Sequence, residues 1–161
     1  MDQAADLDFD LGAFLPYRLN RAAELVSRRF AAQYKARYQM TRPEWRTLAA
    51  LGACGRMTAT EIAAHSSMHK TKVSRAVRAL EERRWLKRTE DANDRRTEHL
   101  ELTALGLRKY REMARLAKAY AQELAALLGE KAVRHLHLGL GAVEKAMIKP
   151  GGARDDHRRQ A

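Results

Sequence analysis

The stretch from Thr58 to Thr103 constrains the fold more than any other part of this chain. It opens with Thr58-Ala-Thr-Glu61, a spacing in which the threonine hydroxyl and the glutamate carboxylate cap the first amides of a helix reciprocally. Ser66-Ser67 breaks the apolar period after Ala64, so this helix is short. A second helix is expected from about His69 to Arg84. Val73, Val77 and Leu80 share one face at steps of four and three, while Lys70, Lys72, Ser74, Arg75 and Arg78 fall mostly away from it. Leu86 to Glu90 and Thr97 to Leu102 then alternate as two short strands around the charged turn Asp91-Ala-Asn-Asp94-Arg95-Arg96. A helix held by apolar residues that points cations outward, followed by an arginine-tipped hairpin, suits nucleic acid.

Charge supports that reading. The 161 residues carry a formal net charge of +11, which favours a polyanionic partner because neutralised phosphates release condensed counterions. Between Lys70 and Arg96 ten cations stand against five acids, an excess of +5. No Gly-rich phosphate loop, His-Glu-x-x-His or zinc-spaced cysteine pair occurs, so the sequence does not read as an enzyme and no cofactor is expected. His65 and His69 straddle the expected turn, and His135 and His137 face different sides of a helix, so no metal is expected either.

The flanks are helical. Residues 11–38 carry Leu15, Leu19, Ala22, Val26 and Phe30 at three- and four-residue steps. Thr41-Arg-Pro43-Glu44 repeats the capping-box spacing and opens a helix expected to bury Trp45, Leu48, Ala49 and Leu51, with Gly52 and Gly55 at its end. After Thr103, Met113, Leu116, Tyr120, Leu124 and Leu127 form a seam that Gly129 ends. Val133, Leu136, Leu140, Val143 and Met147 form another. Apolar seams at both ends of the chain exceed what so small a lobe needs. They serve either an intramolecular three-helix bundle or, as a protein reading paired half-sites would require, a two-fold dimer interface.

The expected organisation is therefore mainly α with a small β-wing. Residues 11–38 would be an N-terminal dimerisation helix, 41–102 a winged helix-turn-helix DNA-binding lobe and 103–148 C-terminal dimerisation helices. Residues 1–10 and 150–161 are expected to be disordered. The acidic start lacks a signal peptide's positive charge, no apolar run reaches the ~18 residues of a spanning helix, and Cys54 is the single cysteine. Together these suggest a cytoplasmic protein with no membrane partner. Cys54 reads as a small buried hydrophobe, with redox control through it as the rival.

Across residues 11 to 148 the sequence resembles the MarR family of bacterial transcriptional regulators. The resemblance rests on the order of elements, on Lys72-Val73-Ser74-Arg75, and on Asp94-Arg95-Arg96 followed by Leu102-Thr103-Ala104-Leu105-Gly106. Ala92 departs from it, standing where many relatives carry proline. The resemblance implies a homodimeric regulator, usually a repressor, whose recognition helices enter successive major grooves of a pseudo-palindromic double-stranded DNA site. His69, Lys70, Thr71, Lys72, Ser74 and Arg75 would then make base and phosphate contacts, with Arg78 a further candidate. Arg96, oriented by Asp94, would reach the minor groove while Arg95 meets a phosphate. Relatives often release DNA when an aromatic or phenolic acid binds between the dimer helices and the DNA lobe. Arg18, Trp45 and Arg46 are the candidates for such a site, since an arginine beside an aromatic ring suits a planar carboxylate. The alternatives are that Trp45 is plain core and Arg46 an exposed helix charge, or that the chain is a non-specific architectural DNA binder.

Overall fold

A computed structural model describes residues 9–92, 94 and 97–147. The order of elements is α1 (Leu15–Tyr38), α2 (Arg42–Cys54), β1 (Met57–Thr58), α3 (Ala59–Ser66), α4 (Lys70–Glu82), β2 (Leu86–Glu90), β3 (Glu98–Leu102), α5 (Ala104–Leu128) and α6 (Glu130–Met147). The chain divides into two compact units within α5, after Lys118.

Local chemistry sets most of the boundaries in the first unit. Both capping boxes form: the Glu44 amide donates to the Thr41 hydroxyl and the Glu61 amide to that of Thr58, while each glutamate accepts from its cap's amide. α1 begins at Leu15 rather than at residue 11. Pro16 occupies its first turn, and the preceding residues form a separate turn in which the Ala13 and Phe14 amides donate to the Asp10 carbonyl. Of the arm expected to be disordered, residues 1–8 lie outside the described residues. Asp10 accepts from the Gly12 amide at 2.8 Å, and the rings of Phe9 and Phe14 meet edge to face. Residues 150–161 also lie outside the described residues.

The wing is a three-stranded antiparallel sheet in the order β1-β3-β2. The hairpin strands were legible in the sequence; β1 was not. Two residues carry no alternation, and Met57 and Thr58 become a strand only by pairing with Leu100 and His99. The second strand starts at Glu98, one residue later than expected, because the Thr97 amide closes the tip turn onto the Asp94 carbonyl.

The core of this unit gathers Leu48, Leu51, Ile62, Val73, Val77, Leu80, Leu100 and Met113. Burial of such side chains contributes ~1.5–3 kcal/mol each and fixes α4 by its apolar face. Thr103 caps α5: its hydroxyl accepts from the Gly106 amide at 3.0 Å and donates to the Arg84 carbonyl at 2.8 Å. Gly106 has no room for a larger residue, since a Cβ there would lie 1.8 Å from the Trp85 carbonyl oxygen.

Two expectations for α2 are corrected. Trp45 and Ala49 are half-buried, and the buried face is instead Glu44, Thr47, Leu48, Ala50 and Leu51. Cys54 is exposed rather than a buried hydrophobe. The apolar period would bury it, but the helix stops at Gly55 (φ 80°), and the chain turns so that Met57 takes the buried place.

In the second unit no α6 residue is buried, and Leu127, Leu136, Leu138, Leu140 and Met147 are all exposed. In the first unit α1 likewise leaves Leu15, Leu25 and Val26 exposed. No helix among the described residues is long and apolar enough to cross a membrane.

Candidate nucleic-acid interface

The two helices of the expected reading head are α3 and α4, joined by a turn at Ser67-Met68. Ser67 adopts the left-handed conformation (φ 50°), and the Met68 amide returns to the Ala63 carbonyl at 3.0 Å. This ends α3 and separates His65 from His69, as the serine pair predicted. Met68 is buried and pins the turn. α4 then starts at Lys70 with His69 as its cap, the imidazole Nδ1 accepting from the Thr71 amide at 3.3 Å. Its thirteen residues make a rod about 20 Å long.

The sidedness read from the sequence is realised. Val73, Ala76, Val77 and Leu80 are buried, whereas His69, Lys70, Thr71, Lys72, Ser74, Arg75 and Arg78 are all exposed. Ion pairing sorts the cations in a way the sequence did not reveal. Arg88 is clamped by Glu81 at 2.7 Å and Glu98 at 2.8 Å, and these hydrogen bonds, Glu81's above all, raise its pKa further. Lys87 pairs with Glu101 at 2.8 Å, and Arg78 with Glu82 at 3.1 Å on the helix surface. Arg83 donates to the Tyr38 and Gln39 carbonyls, lies 3.5 Å from Glu44 and stacks over Trp85. It therefore fastens the end of α1 to the head. Among the described residues, Lys70, Lys72 and Arg75 make no ion pair, so the uncompensated positive charge of α4 lies in its first two turns.

At the wing tip Asp91 accepts from the Asp94 amide and meets the His99 ring at 2.9 Å, while Asp94 accepts from the Thr97 hydroxyl at 3.1 Å. Arg95 and Arg96 lie outside the described residues, so the expected orientation of Arg96 by Asp94 does too.

Of the expected effector residues, the structure brings two together. Trp45 and Arg46 line a cleft of about 320 Å³ between α1 and α2, with Glu24, Phe30, Tyr34 and Arg42 among its other walls. Arg18 is not one of its lining residues. Phe30, Tyr34 and Trp45 form an aromatic cluster with centroids 5.0 to 6.2 Å apart. Burial pushes the Tyr34 phenol up from its ordinary pKa, so it stays a hydrogen-bond donor. Arg42 donates to Glu24 at 2.7 Å and holds that carboxyl below the usual range. Sequence reasoning missed Glu24, Tyr34 and Arg42. The one usable signal was Glu24 itself, an acid set among the arginines of α1.

The exposed Cys54 Sγ lies 3.5 Å from His65 Nε2. Among the described residues no group of three or more His, Cys, Asp or Glu side chains could hold a metal ion.

Comparison with known proteins agrees with this geometry. A family model described as MarR family matches residues 38–97. The fold is similar to that of a MarR family transcriptional regulator from Silicibacter pomeroyi (24% identity, 87% of this chain and 99% of that one, TM-score 0.76). It is also similar to NadR in complex with 4-hydroxyphenylacetate (23% identity, 85% and 95%, TM-score 0.70). A third similar structure is BpsR of Bordetella bronchiseptica, described as regulated in DNA binding by 6-hydroxynicotinic acid (20% identity, 84% and 96%, TM-score 0.72). No curated protein matches the sequence. Residues 38–97 thus match the MarR family by sequence, and the chain carries the fold of solved MarR family transcriptional regulators.

Proposed function

We propose that the chain is a homodimeric, sequence-specific DNA-binding regulator, working as a repressor that a small aromatic or phenolic acid releases from a pseudo-palindromic operator. The observation that carries this reading is the cationic start of α4, which makes no ion pair among the described residues. Lys70, Lys72 and Arg75 project from a helix whose opposite face is locked into the core. His69, Thr71 and Ser74 stand beside them to reach base edges and phosphates, Arg78 extends the track, and Asp94, Arg95 and Arg96 form the wing's contact with the flanking groove.

Dimerisation is supported by the exposed apolar residues of α1 and α6, which a second copy would cover. In this reading residues 11–38 and 103–148 are the dimerisation helices and 41–102 the DNA-binding lobe. A chromosomal regulator of this kind operates in the cytoplasm. The effector reading rests on the aromatic-walled cleft that Trp45 and Arg46 share. Acids such as 4-hydroxyphenylacetate and 6-hydroxynicotinate, named for two structural neighbours, match its chemistry.

Gel retardation on duplexes selected from a random pool tests both halves. The selected site should be an inverted repeat with half-sites ~34–36 Å apart, and one of the two acids should free the DNA. Selection of no repeat would refute the paired reading; retention of DNA at saturating levels of both acids would remove the effector.

A second mode of control is favoured by the exposure of Cys54 beside His65. Peroxide should then weaken DNA binding in the native chain but not in Cys54→Ser. Equal sensitivity of the two proteins, or none in either, excludes it.

A further inference from the structure

Arg46 stands where the cleft meets the reading head. It lines the 320 Å³ cleft with Trp45 and a second, 300 Å³ cleft with Lys72 and His69. Its Nη2 also donates to the backbone carbonyl of Ser66. That carbonyl ends α3, where helix carbonyls lack intrahelical donors and take side-chain partners instead. Ser66 is itself buried, its hydroxyl returned to the Ile62 carbonyl. The next residue, Ser67, holds the left-handed conformation that aims the chain at the His69 cap of α4. One guanidinium therefore touches both the proposed effector cleft and the turn that sets the recognition helix.

The other arginine of the cleft is already engaged, since Arg42 donates to Glu24 at 2.7 Å. A carboxylate entering beside Trp45 would find Arg46 as the guanidinium whose present acceptor is a neutral carbonyl. A carboxylate is the stronger acceptor and can take both arms of the fork.

We propose, resting on the effector reading above, that Arg46 is a positioning residue that couples the cleft to DNA. Without an acid it braces the Ser66 carbonyl and holds the turn. With an aromatic carboxylate in the cleft it swings to that anion, leaves the carbonyl unpaired, and loosens the start of α4. The free energy that links the two sites is the exchange of one acceptor for the other, which both sites feel reciprocally.

The test combines amide hydrogen exchange at Ser67 and Met68, calorimetric titration with 4-hydroxyphenylacetate and with 6-hydroxynicotinate, and operator affinity. In the native chain the acid should speed exchange at those amides severalfold and lower operator affinity about tenfold. Arg46→Lys keeps a donor of nearly the same reach without the two-armed fork, so it should hold slow exchange and lose less operator affinity than the native chain when acid is added. Arg46→Met loses both functions and should show fast exchange and weakened operator binding with no acid present. Acid that binds the native chain and releases DNA while exchange at Ser67 and Met68 stays unchanged would overturn the coupling and leave the effector reading standing. Failure of both 4-hydroxyphenylacetate and 6-hydroxynicotinate to bind would remove the effector reading. The acid-free comparison then decides the brace alone: equal exchange in native and Arg46→Met proteins overturns it, and faster exchange in Arg46→Met supports it.

Discussion

The Lys72→Ala, Arg75→Ala double variant should bind its operator roughly 30-fold or more weakly than the native chain, because each contact to a base edge or phosphate contributes ~1–3 kcal/mol. Both side chains project from the exposed face of α4 and carry no intramolecular counter-charge among the described residues. Their charge is therefore available to phosphates without first breaking an ion pair. The slope of log affinity against log salt should fall by ~1 for each lost phosphate contact. Arg88→Ala is the control. Glu81 and Glu98 already neutralise that guanidinium, so its removal should leave the salt slope near native. A double variant with native affinity, or an Arg88→Ala protein that loses as much slope, would show that the cations of α4 do not carry binding.

Gly106→Ala should cost ~3 kcal/mol of stability or more, read as a drop in Tm of about 6–12 °C for a chain of this size. The sign is opposite to the usual one. In a helix interior alanine is preferred to glycine by about 1 kcal/mol, so an exchange within α5 would ordinarily stabilise. Here the added Cβ would lie 1.8 Å from the Trp85 carbonyl oxygen and 2.7 Å from its carbon. These are backbone atoms that no rotamer can clear. The same carbonyl accepts the Thr103 amide at 3.0 Å, so relief by displacement would also strain the cap of α5 at the base of the wing. Thermal denaturation decides it, and an unchanged or raised Tm would mean that the approach of α5 to Trp85 is looser than described.

The sequence made legible whatever depended on neighbours a few residues apart. The capping boxes at Thr41 and Thr58, the break at Ser66-Ser67 and the two faces of α4 are all local, and the structure has each of them. What sequence reading missed depended on distant partners. Met57-Thr58 is a strand only because β3 lies beside it. Arg83 is one of the ten cations counted between Lys70 and Arg96, but its partners are carbonyls at Tyr38 and Gln39, more than forty positions earlier. Arg88 is another of the ten and is held by Glu81 and Glu98. Cys54 fits the apolar period of α2 yet is exposed as the last residue of the helix, where Gly55 turns the chain away. For the effector cleft, the pairing of Trp45 with Arg46 was visible as adjacent letters. Glu24, Tyr34 and Arg42 join them only through the packing of α1 on α2.

The central claim is that cations presented on a docked helix, doubled across a symmetric pair, read a particular DNA sequence. Equilibrium competition between a selected inverted-repeat duplex and random duplex, with the mass of the complex measured by sedimentation, addresses it most directly. The expected result is two chains per duplex and a preference of ~10³-fold or more for the selected site. One chain per duplex, with random DNA competing equally, would contradict it.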